Sequence, residues 1–406
     1  MESTSDIIVG KKIVCVSFGP IERKAKRMKV NTIRCYRWIA ALVLFLLFMA
    51  SSQALAANAT EVMVENIILD GLTPGQIYWK NDGSGGTAND YNVFFDLSTA
   101  MPTLRLKDAE INELSFINSM LATNGDIILE FTGSNLITYA GTDAADILGI
   151  YVRGELMIID ATTYGTGSLT IDITHGADNE MTDAVYAESG SITVESGTIN
   201  VSVYDGSRAC GLYADHDINI NGGKTTVSVT SDAARGLYAY DLFSMSGGAV
   251  VASITADEWD SAALAAHNIL VTGGSGKFSA SGAAVGGFWE IADTGEFRVT
   301  GGRIIFTSKI EALLFDTNNT LTPDVSEEIL VSTYNSGDGK TAWNSSMGPL
   351  AGSYYDYPDY LYVELTGTLI PLTGDAARPW LWLFIGFAAL LAGGGAGLLL
   401  RKKLQA

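Results

Sequence analysis

Two consecutive stretches of this chain share one pattern: "GLYADHDININGGKTTVSV" at residues 211–229 and "GLYAYDLFSMSGGAVVASI" at residues 236–254. Each has an apolar residue near its start, a glycine pair near its middle and alternating side chains at its end. Alternation with a period of two, in runs rich in Val, Ile and Thr, is typical of short strands with one buried face. The glycine pair between two such strands allows a sharp corner.

The unit recurs along the chain with a period close to 25 residues. The first apolar residue returns after 27, 25, 27, 24 and 25 positions, at Val185, Leu212, Leu237, Leu264, Phe288 and Leu313. The second corner residue returns after 26, 25, 26 and 28 positions, at Gly197, Gly223, Gly248, Gly274 and Gly302. Three short strands and three corners fit about 25 residues, whereas a propeller blade needs about 40. The two columns therefore predict a parallel β-solenoid whose coils stack about 4.8 Å apart.

The strand pattern continues upstream, where the corners are longer. Alternating runs such as "TLRLKDAEI" (103–111) and "DIILEFTGSNLIT" (126–138) belong to it. We therefore predict an all-β parallel β-helix over residues 57–315. Beyond it the period fails, and the aromatic, turn-rich segment 316–369 is predicted to cap the unpaired strand edges of the last coil.

Over residues 60–315 the pattern resembles the right-handed parallel β-helix surface proteins of Clostridia-like bacteria. Some of those proteins bind carbohydrate and are distantly similar to pectate lyases. The resemblance implies a β-helix fold and a carbohydrate ligand.

Residues 1–56 have the order of a secretory signal. A basic stretch, "KAKRMKVNTIRCYR", precedes the apolar run "WIAALVLFLLFMA" (38–50), and the small-x-small pattern ends at Ala56. Cleavage is expected after Ala56, and a start at Met28 would give a signal of ordinary length. The alternative is a retained N-terminal membrane anchor, which we disfavour because a 13-residue apolar run is short for a bilayer.

Residues 370–406 combine three features in a fixed order. Trp380 to Leu400 form an uncharged run of 21 residues, long enough to cross a bilayer, and "RKK" (401–403) follows on the expected cytoplasmic side. Just before this run stand Ile370, Pro371, Leu372, Thr373 and Gly374. The order resembles the cell-wall sorting signal of Gram-positive surface proteins, with a Leu-Pro-x-Thr-Gly pentapeptide.

The resemblance implies that a sortase transpeptidase cleaves between Thr373 and Gly374 and joins Thr373 to peptidoglycan. The apolar run would hold the chain in the membrane before processing. Ile370 departs from the usual leucine, so we expect slower or class-specific processing. The alternative is a single-pass membrane protein with an extracellular N-terminal domain.

The charge of the exported part excludes one class of partner. Between residues 57 and 374 there are 12 Lys and Arg against 41 Asp and Glu, a net charge of −29. Such a chain repels phosphate backbones, so we expect no nucleic-acid partner. Cys210 is the only cysteine in this part, which precludes a disulfide within it. We interpret Cys210 as a small core residue.

A column of tyrosines follows the inward apolar residues. Tyr151, Tyr186, Tyr213 and Tyr238 each come directly after an apolar residue predicted to face the core, so alternation points them outward. Aromatic rings pack well against the apolar faces of sugars, and we predict a glycan-binding ladder that ends at Ala265. The alternative is a purely structural stack.

A second column is acidic. Asp183, Asp205, Asp232 and Asp257 are spaced 22, 27 and 25 residues apart, and Arg208 and Arg235 accompany them. One interpretation is a calcium-assisted uronate site of the pectate-lyase kind, with carboxylates on the metal and an arginine as base. The other, which we favour, is a solvated corner neutralised by counterions. His175, His216 and His267 lack metal-binding spacing and are interpreted as ordinary loop or strand residues.

Three functions are compatible with these features. The first is a non-enzymatic, wall-displayed β-helix that binds carbohydrate or a host surface along its lateral face, as an adhesin does. The second is a polysaccharide lyase or hydrolase on the same scaffold, and the third is a passive surface spacer.

Overall fold

The computed structural model describes residues 58–367 apart from short segments at 71–77, 116, 143–144, 163–165, 177–180, 259–260, 283–285, 291–295, 316–323, 326–327, 345–346, 348–351 and 354–359. The predicted secretory signal and the predicted sorting signal lie outside the described residues. Within the part described, no helix is long and apolar enough to cross a membrane.

The described part of the chain is built from β-strands. The first fifteen are β1 (Val62–Val64), β2 (Ile67–Leu69), β3 (Tyr78–Trp79), β4 (Val93–Asp96), β5 (Thr103–Lys107), β6 (Glu110–Ile111), β7 (Ser119–Thr123), β8 (Ile127–Thr132), β9 (Ser134–Gly141), β10 (Ile147–Val152), β11 (Leu156–Asp160), β12 (Ser168–His175), β13 (Met181–Ala187), β14 (Ile192–Val194) and β15 (Thr198–Asp205). The later ones are β16 (Arg208–Ala214), β17 (Ile218–Ile220), β18 (Lys224–Thr230), β19 (Ala233–Met245), β20 (Ala249–Ala256), β21 (Ala262–Gly282), β22 (Gly286–Glu290), β23 (Phe297–Thr307), β24 (Glu311–Phe315), β25 (Asp324–Val325), β26 (Glu328–Ser332), β27 (Thr341–Ala342), β28 (Gly352–Ser353) and β29 (Tyr362–Gly367).

These strands form a parallel β-solenoid of about seven turns, as the repeat predicts. Successive coils pair with one another in three parallel ladders. In the later coils one strand spans more than one ladder: β19 belongs to the first and second, and β21 belongs to all three. The first ladder runs through β7, β10, β13, β16 and the start of β19. The second runs through β5, β8, β11, β14 and β17, and the third through β6, β9, β12, β15, β18 and β20.

The register of the first ladder confirms the predicted apolar column. Val185 pairs with Leu212, Leu212 with Leu237, and Leu237 with Leu264. All four side chains are fully buried. Burying a leucine contributes roughly 2 kcal/mol relative to leaving it exposed, so the stacked column is a main source of stability.

The corners need glycine where the backbone turns and passes close to the preceding coil. Gly248 has a φ of 68°, which lies in the left-handed region. A Cβ atom on it would lie 2.6 Å from the carbonyl oxygen of Gly222, one coil earlier. Side chains are therefore excluded here by both conformation and space.

Antiparallel strands cover the described solenoid at both ends. At the N-terminal end, β1 pairs with β2 and β7, and β4 pairs with β3 and β5. At the C-terminal end, β29 pairs with β23 and β26. There the buried Glu364 accepts hydrogen bonds from Arg303 at 2.6 Å, Lys340 at 2.9 Å and Tyr362 at 2.6 Å.

Candidate functional site: the tyrosine face and its two pockets

The four tyrosines lie in one row on the outer face of the first ladder. Tyr151 pairs with Tyr186, Tyr186 with Tyr213, and Tyr213 with Tyr238. Their flanking residues face the core, and the tyrosines themselves are partly exposed. Ala265 follows Tyr238 in register and is fully buried. We call the outer surface of β10, β13, β16 and the start of β19 the tyrosine face.

The four rings differ in how they contact one another. Tyr186 and Tyr213 stack face to face, with centroids 4.7 Å apart and an angle of 14° between planes. Tyr151 is tilted by 45° from Tyr186 at 5.8 Å, and Tyr238 meets Tyr213 edge-on at 4.9 Å. Because Tyr186 and Tyr213 use their facing surfaces on each other, the simple picture of one sugar ring stacked on each tyrosine does not describe this pair.

The first pocket lies at the N-terminal end of the row and has a volume of about 560 Å³. Tyr151 and Tyr186 line it from the first ladder, together with Leu148 and Arg153. Ala122 and Thr123 of β7 extend this first-ladder side of the pocket. The other wall comes from the antiparallel strands β1 and β2 and from neighbouring loops, and its lining residues are Glu61, Met63, Ile68, Ile117 and Asn124.

Arg153 and Tyr151 are held by a shared carboxylate. The Tyr151 hydroxyl donates a hydrogen bond to Oε2 of Glu188, and Nε of Arg153 lies 2.9 Å from the same oxygen. The hydrogen bonds from Tyr151 and Arg153 lower the pKa of Glu188, while burial raises the pKa of Tyr151. At neutral pH the pocket therefore has a protonated phenol and a guanidinium, both hydrogen-bonded to Glu188, beside its apolar wall.

The second pocket is smaller, about 30 Å³, and lies farther along the same face. Asp183 lines it and is completely buried, and neither of its carboxylate oxygens has a hydrogen-bond partner. Its register partners in the ladder are Leu148 and Cys210, and Cys210 pairs in turn with Arg235. The other lining residues are Met181, Arg208, Ala209, Tyr213, Ala233 and Tyr238.

Burial dominates the electrostatics of this pocket. Loss of hydration raises the pKa of Asp183 to about 7, Asp146 adds to the rise, and Arg235 and Arg208 oppose it. Burial likewise raises the pKa of the Cys210 thiol, which therefore stays protonated. Cys210 is buried, as predicted, but it lines this pocket and not the solenoid core.

The four aspartates of the acidic column do not come together. Asp183 lies within β13, whereas Asp205 ends β15 and accepts hydrogen bonds from buried Thr182 and from His175, 2.9 Å away. Asp232 and Asp257 are exposed at a corner. The 22-residue spacing between Asp183 and Asp205 is shorter than a coil, so these two belong to different ladders. Among the described residues, no group of three or more His, Cys, Asp or Glu side chains is placed to hold a metal ion.

The histidines lie outside both pockets. His175 is buried in the third ladder with Asp205. Half-exposed His216 contacts Asp241 at 2.9 Å, and this hydrogen bond raises its pKa. His267 is partly exposed on β21. His175 and His267 thus lie on strands β12 and β21, and His216 lies between β16 and β17.

Sequence reasoning missed both pockets. The first needs β1 and β2, which lie outside the repeat and carry no periodic signal. The second depends on the burial of Asp183, whose ladder neighbours differ from it in chemistry. In comparisons with protein-family models, curated proteins and solved structures, the chain has no match.

Proposed function

We propose that this protein is a cell-surface β-solenoid that binds carbohydrate on its tyrosine face without catalysing a reaction. The observation that carries the proposal is the first pocket. Its volume of about 560 Å³ lies within the usual range for small-ligand sites. An apolar wall and tyrosine rings suit the C–H faces of a sugar, while Arg153, Glu61 and Asn124 offer partners to its hydroxyls.

Tyr151 is the ladder member best suited to stack on a sugar. Tyr151 stands at the end of the row, so a neighbouring tyrosine ring, that of Tyr186, contacts it on one side only. Its hydroxyl donates a hydrogen bond to Glu188. Tyr186 and Tyr213 would instead present ring edges and hydroxyls, because their faces are paired. An elongated glycan would begin in the first pocket and continue along the row.

The predicted termini support display on a Gram-positive cell wall. A secretory signal would export the chain, and sortase would join Thr373 to peptidoglycan. The solenoid would then present its lateral face outside the cell, where glycans are abundant. Without processing, the apolar run 380–400 would leave a membrane-anchored form with the same orientation.

The test is retention of the full chain on insoluble glycans. The protein would be purified in a detergent without a sugar headgroup and incubated with cellulose, chitin and immobilised mucin. We expect retention on at least one of them and its loss in Tyr151→Ala. Tyr204→Ala is the matched control, because Tyr204 is 55% exposed and lies on β15, away from both pockets.

The same incubation separates the alternatives. New reducing ends or unsaturated products, with calcium present, would favour the lyase or hydrolase. Absence of retention on every glycan would favour a passive spacer, and equal loss in both variants would show that the first pocket is not the site.

A further inference from the structure

Asp183 is placed where the fold gives it no partner. Its side chain is fully buried on the tyrosine face, and both carboxylate oxygens lack hydrogen bonds. Burying a polar group without a partner destabilises the fold, and burying a charged one does so more strongly. The same row also carries Ser119, Leu148, Cys210, Arg235 and Ala262. The ladder therefore accepts apolar as well as polar residues at this position, and its backbone pairing does not require an aspartate there.

The surroundings of Asp183 combine charges of both signs with aromatic rings. Arg208 and Arg235 line the same pocket, and the guanidinium of Arg235 lies 4.7 Å from the centre of the Tyr238 ring. Tyr213 forms a further part of the wall. The cavity of about 30 Å³ has room for one group of the size of a water molecule.

We propose that the second pocket is a subsite for one hydroxyl group of an uncharged sugar, which donates a hydrogen bond to Asp183 and accepts one from Arg235 or Arg208. A hydroxyl is both donor and acceptor, so it satisfies the two kinds of protein group at once. A ligand carboxylate would meet the buried carboxylate of Asp183, and an ammonium group would meet two guanidinium groups. This inference rests on the proposed function and specifies its ligand as an uncharged glycan.

The position of the subsite fits a chain that starts in the first pocket. Asp183 and Tyr186 both lie on β13, and Tyr186 also lines the first pocket. The second pocket extends from β13 to β16 and β19, one and two rungs farther along the face. Rungs are about 4.8 Å apart, so the two pockets are separated by one or two sugar units.

The experiment measures the binding of soluble hexasaccharides to the full chain at pH 8 by titration calorimetry. The probes are cellohexaose, N-acetylated chitohexaose and mannohexaose, which are uncharged, and hexagalacturonate, which is acidic. We expect an uncharged hexamer to bind the parent more tightly than hexagalacturonate does. Asp183→Asn should weaken this binding at least about tenfold, because a hydrogen bond to a charged group is lost.

The matched control is Asp172→Asn, which changes an exposed aspartate on β12, away from both pockets. It should leave the affinity unchanged. Circular dichroism would show that both variants keep the β-solenoid.

Two results would overturn the inference and leave the proposed function standing. One is an uncharged hexamer that requires Tyr151 but binds Asp183→Asn as tightly as the parent, which would make the pocket a water-filled structural feature. The other is hexagalacturonate as the tightest probe, with binding strengthened by Asp183→Asn, which would assign the arginines to an acidic ligand. Absence of binding by any hexamer would overturn the proposed function and this inference together.

Discussion

The buried carboxyl of Asp183 should make the protein less stable at neutral and alkaline pH than at mildly acidic pH. Burial raises its pKa from an ordinary 3.8 to about 7 in the folded state. Between these two values the folded protein holds a proton that the unfolded chain has released. The stability contributed by this group is therefore fully present below pH 4 and is lost as the pH rises through 7.

The magnitude follows from the size of the shift. A rise of roughly three pKa units corresponds to about 4 kcal/mol, at 1.36 kcal/mol per unit. Asp183→Asn has nearly the same shape and no titration in this range. The free energy of unfolding of this variant, relative to the parent, should therefore increase by about 4 kcal/mol between pH 4 and pH 8.

The assay is urea unfolding of parent and variant at half-unit pH steps, followed by circular dichroism. The test uses only how the difference in unfolding free energy between variant and parent changes with pH. The absolute difference is set aside because the new amide also lacks hydrogen-bond partners, which adds an offset that does not depend on pH. If the unfolding free energy of Asp183→Asn relative to the parent did not change with pH, the reasoning would be refuted. Such a result would mean that Asp183 ionises at an ordinary pKa and has partners in solution.

Two further predictions concern the C-terminal part of the chain. Burial raises the pKa of Glu364, but hydrogen bonds from Arg303, Tyr362 and Lys340 outweigh it and lower the pKa to about 2. The stability that Glu364 contributes to the folded state is present above the pKa of its unfolded form and is lost as the pH falls toward 2. Glu364→Gln should therefore reduce the free energy of unfolding at pH 7 by about 1–2 kcal/mol, a range that allows for the exposure of Arg303 and Lys340. The reduction should be smaller near pH 2. Urea unfolding at both pH values checks this, and an equal loss at both would contradict it. Thr373→Ala should move the protein from the muramidase-released wall fraction to the membrane fraction or the medium, and unchanged wall release on immunoblots would leave only the membrane-anchor interpretation.

The tyrosine row shows how a correct register can leave function undecided. Alternation places Tyr186 and Tyr213 on the outside because their neighbours, such as Leu212, face the core. Whether a ring presents its face or its edge depends on side-chain rotation, which the alternation does not constrain. The face-to-face contact of these two rings therefore changes the expected mode of binding without changing the row itself.

The sequence by itself determined the architecture, because its causes are local and repeated. The apolar column through Leu212, Leu237 and Leu264 and the left-handed glycines at the corners recur once per coil, and stacking identical units places them in register. Only the tertiary structure decided the pockets. The first needs Met63 and Ile68 on antiparallel strands far from the tyrosines in sequence, and the second needs neighbouring coils to cover Asp183 with side chains that differ from rung to rung. The repeat period reflects only the residue types that successive coils have in common, whereas both pockets are formed by residues that differ between coils or lie outside the repeat.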